Sequence, residues 1–143
     1  MLDYTDMLYS EFFDAFKMCT TDTDRISVLR KNDNLRFRTF LIGAFNPTIK
    51  FDVSIPKYTP AIEPAGLNYS RLSAEVDQLY LFVENHPNRP KNLSKQKQEN
   101  VLIGILERIN KDEALLLLKM LNKDLEIPHL NKELINIAFP GLL

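Results

Sequence analysis

Two histidines, one cysteine and a few paired carboxylates are the residues of this 143-residue chain that could do chemistry. Their spacing argues against it. A zinc site needs three or four His, Cys or acidic ligands at short, regular spacings. His86 and His129 are far apart, and neither has a cysteine or acid at ligand distance in the sequence; each sits beside a proline, as loop residues do. Cys19 has no neighbouring histidine to make it a thiolate and reads as a small apolar residue at a helix end. Asp22 with Asp24, and Asp112 with Glu113, lie where helix starts favour negative charge, so both pairs read as capping groups rather than an acid–base couple. The four glycines are isolated, in no pattern that cradles phosphate, and no nucleophile elbow is present. The expectation is a protein without catalytic residue, metal or cofactor.

Cations and exposed aromatics are then the functional candidates. Arg36 and Arg38 flank Phe37 on a predicted helix. Lys95 and Lys97 fall in the first turn of another, where they oppose the helix dipole and an anionic partner would relieve them. As phosphate contacts these four would bind DNA without reading its sequence; the plainer reading is a solvated polar face. Phe51, Tyr58 and Tyr69 lie in or beside a proline-rich stretch. They either stack on bases or fill a partner's pocket, or they anchor the stretch to the core. The remaining aromatics, Phe12, Phe13, Phe16, Phe37, Phe40, Phe45, Tyr80 and Phe82, fall in helical stripes and read as core.

The elements that must position these residues are written as apolar repeats at three- and four-residue steps. Met7, Leu8, Phe12, Ala15, Phe16 and Cys19 predict a first helix starting after Asp3. Thr20–Asp24 breaks it and opens a second helix through Ile26 and Leu29. Leu35, Phe37, Phe40, Leu41, Ala44 and Phe45 predict a third, closed by Asn46-Pro47. A fourth spans about Tyr69–Glu84. Ser94 caps a fifth, Asn110 with Glu113 makes a capping box for a sixth, and Asn131 caps a short seventh. Between them, residues 47–66 cannot be helical, because Pro56, Pro60 and Pro64 recur every four residues. Lys50–Ile55 alternates and predicts a short edge strand. Phe51, Val53, Ile55, Tyr58 and Ile62 are too apolar for a free linker, so the stretch reads as a strap laid on the helices. The class is all-α: a single domain, residues 1–143, of six or seven short helices with one extended strap.

Composition agrees with a single globular unit. Apolar residues make up 45% and charged residues 26%, enough of each for one core and its surface. A net charge of −1 supplies no global field toward nucleic acid or membrane, although the charges are unevenly spread along the chain. One cysteine excludes an intramolecular disulfide and suits a reducing cytosol. No basic segment precedes an apolar run at the start, so no signal peptide is expected, and no run nears the ~18 apolar residues of a membrane span.

Several landmarks carry a resemblance. Val28-Leu29-Arg30-Lys31-Asn32, Gly43-Ala44-Phe45-Asn46-Pro47, Tyr58-Thr59-Pro60, Leu79-Tyr80-Leu81-Phe82-Val83, Leu106-Glu107-Arg108-Ile109 and Ala138-Phe139-Pro140-Gly141-Leu142 follow one another in this order. Together they resemble an uncharacterised protein family of T-even-type phages and cyanophages. That family implies an origin and no activity. Leu115–Leu143, with Asp124-Leu125 and Phe139-Pro140-Gly141-Leu142, is also similar to the end of the helical N-terminal domain of phage ATP-dependent DNA ligases, which contacts DNA. The glycine that ligases carry after Asp-Leu is replaced here by Ile127-Pro128-His129, and the nucleotidyl-lysine motif K-x-D-G is missing, so ligation is not implied. The resemblance and the cations together imply a non-enzymatic phage accessory protein of the host cytoplasm that binds DNA or a DNA-processing assembly. The alternatives are a module that binds a host or phage protein, and a minor virion component.

Overall fold

The computed structural model describes residues 4–143. Within them the protein is all-helical. The helices are α1 (Tyr9–Lys17), α2 (Asp22–Lys31), α3 (Leu35–Phe45), α4 (Leu72–Glu75), α5 (Lys95–Arg108), α6 (Lys111–Leu121) and α7 (Lys132–Ala138). Helix α1 starts later than its apolar pattern suggests, because Tyr4–Asp6 forms a separate 3-10 turn. The fourth helix makes one α-turn and then continues as a 3-10 segment, Val76–Phe82. The three expected side-chain caps at Ser94, Asn110 and Asn131 are in place, and Asn34 adds one for α3. Asn34 Oδ1 accepts from Phe37 N–H at 3.0 Å, Ser94 Oγ from Lys97 N–H at 3.1 Å, Asn110 Oδ1 from Asp112 N–H at 2.8 Å and Asn131 Oδ1 from Leu134 N–H at 2.9 Å.

Helix α6 is the hub. It packs against α1, α3, α4 and α5, and its run of alanine and leucines makes this possible: Ala114, Leu116, Leu117, Met120 and Leu121 are all buried. One apolar cluster draws on all seven helices. At its centre Phe12, Phe37 and Phe139 meet edge to face, with ring centroids 5.0 Å apart for Phe12–Phe37 and 6.4 Å for Phe37–Phe139; such geometry adds to the burial of the rings themselves. Helix α7 closes the core by lying on α2. Of the stripe residues, Leu35 departs from expectation: it is 79% exposed, because Phe37, Phe40, Leu41 and Ala44 already fill the inward face of α3.

The capping box expected for α6 does not close, and its glutamate does something else. Glu113 is fully buried. One carboxylate oxygen accepts from Tyr9 N–H at 2.8 Å and the other from Leu72 N–H at 3.0 Å. These are the first residues of α1 and α4. A single side chain from α6 therefore caps the starts of two other helices, with the charge sign their dipoles favour.

The strap lies on the helices only as far as Tyr58. The expected strand over 50–55 reduces to one antiparallel bridge, Phe51–Val83, flanked by Asp52 N–H to Phe82 O at 3.0 Å and Glu84 N–H to Lys50 O at 2.7 Å. Phe51, Val53 and Tyr58 pack against the core, whereas Ile55 and Ile62 do not.

Two outcomes follow from Glu113. Replacing it by alanine strands two buried N–H groups and should cost about 2–6 kcal/mol in urea unfolding, from about 1–3 kcal/mol for each unsatisfied group. Its protonation is set mainly by burial, which raises the carboxyl above the ordinary glutamate range; the Glu11 charge adds to this, while the Leu72 and Tyr9 N–H groups and Arg71 work against it. A raised carboxyl means that the folded chain keeps a proton the unfolded chain has released. From about pH 4.3 upward, the usual glutamate value, its contribution to stability therefore falls as pH rises through the folded-state pKa. Glu113→Gln should remove that component from urea midpoints measured across pH. The acid-side loss from Asp33, Asp52 and Glu75, whose carboxyls are held below their ordinary range, should remain.

Candidate functional site

The four cations singled out as DNA contacts do not share a face. Residues two apart on an α-helix point about 200° away from each other. Arg36 turns to the 3-10 segment and pairs with Asp77 at 2.8 Å. Arg38 turns the other way, forms a two-pronged pair with Asp33 at 2.6 and 2.9 Å, and lies over the Phe139 ring at 5.0 Å. Lys95 lies 3.5 Å from Asp52, while Lys97 makes no ion pair among the described residues. The structure thus brings none of these four together as a binding surface.

The same holds for the other arginines, each of which has acceptors. Arg30 Nε and Nη2 donate to Ala138 O at 3.1 Å and Ile137 O at 2.9 Å, closing the end of α7. Arg108 makes a two-pronged pair with buried Glu75, 2.7 Å on each prong, and this bonding chiefly holds the Glu75 carboxyl below its usual range. Lys123 is used similarly. Its Nζ donates to Gly43 O and Asn46 O at the end of α3, with the Phe51 ring 5.5 Å away.

Of the aromatics proposed for partner binding, Phe51 is a core anchor, Tyr58 is half-buried, and Tyr69 is 92% exposed. Tyr69, expected to open the fourth helix, instead ends a loop whose first part, up to Gly66, belongs to the expected strap, and α4 begins only at Leu72. The loop spans residues 60–69 and both its ends are rooted on the last turn of α5. Before it, Thr59 N–H donates to Glu107 Oε2 at 2.6 Å; after it, Ser70 N–H donates to Arg108 O at 2.8 Å. A chain segment whose ends meet in this way is a compact surface loop of the kind that often carries function. Inside it, Leu67 N–H donates to Pro64 O at 3.0 Å, closing a turn with Gly66 at φ +89°. That geometry asks for glycine at the third position. Asn68 Nδ2 reaches Glu63 O at 3.5 Å. Ile62 (92% exposed), Leu67 (72%) and Tyr69 point away from the core. A signal for this was present: proline at 60 and 64 with glycine at 66 marks a turn, and three large apolar residues around a turn lack the helical spacing that would bury them.

A second feature is a cleft of about 340 Å3 beside α3, lined by Ile42, Gly43, Phe51, Leu79, Tyr80 and Met120. Tyr80, expected in the core, stands at this cleft with its ring 5.3 Å from that of His86. His86 Nδ1 accepts from Asn88 N–H at 3.1 Å, so the histidine closes its own loop. Among the described residues no cluster of His, Cys, Asp or Glu is arranged to hold a metal ion, and no helix is long and apolar enough to cross a membrane.

Comparison with known proteins gives one result. No curated protein and no solved structure matches the chain. A family of unknown function, DUF6433, matches residues 14–127, a span that runs from α1 through the turn after α6 and includes the strap and the rooted loop. The chain therefore belongs to the DUF6433 family of unknown function.

Proposed function

We propose that the protein is a non-enzymatic interaction module that grips a partner protein with the rooted loop 60–69. The observation that carries this reading is the exposure of Ile62, Leu67 and Tyr69 on a loop fixed at both ends. Large apolar side chains held in water have no folding role. A loop held in shape by prolines, a closed turn and two anchors has lost little further entropy to pay on binding. Tyrosine suits such a surface, because it brings a large contact area with few rotatable bonds. The only charge on the loop is Glu63, so the complementary site is an apolar pocket with a cation at its rim. In keeping with the phage family that the chain resembles, we place this contact in the host cytoplasm, with a host or phage protein as partner. The DNA reading through Arg36, Arg38, Lys95 and Lys97 has less support, since three of the four are already in ion pairs and the four diverge.

The test is a photo-reactive amino acid placed at Ile62, Leu67 or Tyr69, and at Leu115 as an exposed control on α6, in cells that make the protein naturally. A discrete adduct should form from the loop positions and not from Leu115. It should disappear with Gly66→Val, which strains the turn at positive φ yet meets nothing within 4 Å. Truncating Tyr69 to alanine should weaken the isolated complex by about 2 kcal/mol or more, as for a contact at the centre of an interface. Adducts of equal yield from the loop and the control would remove the reading.

A further inference from the structure

The sequence carries a second asymmetry that the loop does not use. Residues 85–98 hold Arg89, Lys91, Lys95 and Lys97 and no acid, a local charge of +4 in a chain of net −1. Glu84 and Glu99 flank the stretch, and the fold brings Asp52 into it from the strap. Asp52 accepts from Arg89 at 2.7 Å and from Gln98 at 3.1 Å, with Lys95 at 3.5 Å. Burial pushes the Asp52 carboxyl up, but the Arg89 and Gln98 bonds and the charges of Arg89 and Lys95 outweigh it and hold the group below its usual range. Asp52 is thereby used up in fixing the loop, and the surplus positive charge remains. Lys91 and Lys97 are exposed and make no ion pair among the described residues. The Glu84–Lys50 backbone bond brings exposed Lys50 to the same edge, next to the exposed carboxylate of Glu84.

We infer that this edge, residues 85–98 with Lys50 beside it, is a docking face for the phosphodiester backbone of a nucleic acid. The choice of partner rests on what the edge lacks. No large apolar side chain is exposed between Tyr69 and Leu115, so this face has no apolar centre of the kind a protein interface is built on. A phosphate chain needs only point charges and hydrogen-bond donors. The lysines supply the first; the exposed amides of Asn85, Asn88 and Asn92 supply the second, Asn85 on the wall of a hollow of about 390 Å3 that Asp52, His86, Arg89 and Lys91 also line. Lysines rather than arginines carry the face, because every arginine has a structural partner. Lysine contacts raise affinity without reading bases, so binding is independent of sequence. Of the four cations expected to contact DNA, Lys97 keeps that role together with Lys91, Lys95 is tied to Asp52, and Arg36 and Arg38 have none.

The experiment is fluorescence anisotropy with labelled mixed-sequence DNA of about 20 nucleotides, single-stranded and duplex, at low and at near-physiological salt. Both should bind at low salt and weaken steeply as salt rises. Lys91→Glu with Lys97→Glu should weaken binding by at least about tenfold and flatten the salt slope by about one unit for each lost contact. Lys17→Glu with Lys132→Glu changes net charge equally at exposed sites elsewhere and should leave affinity within about threefold, as should Arg36→Ala with Arg38→Ala. Circular dichroism checks that each variant is folded. Three results would overturn the inference: no binding at low salt, equal loss in the two lysine doubles, or displacement of the DNA by polyglutamate as readily as by unlabelled DNA. The outcome is independent of the loop 60–69, whose variants should bind DNA normally.

Discussion

The structure depends on one buried carboxylate. Glu113 sits on the central helix and its two oxygens hold the first N–H groups of α1 and α4 at 2.8 and 3.0 Å. A charged group is costly to bury, and it is retained only where hydrogen bonds compensate. Two helix starts, each with its positive dipole end, supply that compensation. The arrangement fixes where α1 and α4 meet α6, and so where the strap between α3 and α4 must cross.

Other helix ends follow the same logic with opposite sign. Lys123 closes α3 and Arg30 closes α7, each from a helix or turn distant in sequence. In short helices a large share of the backbone polar groups lies at the ends, and a small core leaves many of those ends half-buried. Charged side chains from neighbours satisfy them. The consequence for function is a division of labour. Arginine, whose planar fork suits fixed geometry, is taken up by the scaffold. Lysines and one loop are left facing solvent, on two separate faces.

Much of the fold was legible because it rests on local signals. Apolar residues at three- and four-residue steps mark the helices, and Ser94, Asn110 and Asn131 cap them as their positions suggest. Prolines at four-residue steps exclude helix from the strap. The inward role of Phe12, Phe16, Phe37 and Phe40 follows from the same periodicity. The site was less legible. Arg36 and Arg38 look like a pair in sequence, yet helix geometry sends them to Asp77 and Asp33. Phe51 and Tyr69 look alike in and beside the strap, yet one packs half-buried against the core and the other stands in water.

By itself the sequence determined the all-helical class, the starts of α2, α3, α5, α6 and α7 and the non-helical strap, because each depends on backbone preferences within a few residues. It also determined the acid-free stretch 85–98, a matter of composition. Tertiary structure alone decided which charges are free. Partners such as Tyr9 and Glu113, or Gly43 and Lys123, lie far apart along the chain and meet only when the core closes. It likewise decided that residues 60–69 form a loop rooted on α5, since Glu107 and Arg108 become its anchors only when α5 packs against α6 and α4. Burial and pairing are properties of the packed chain, and periodicity carries no information about which distant charge will arrive.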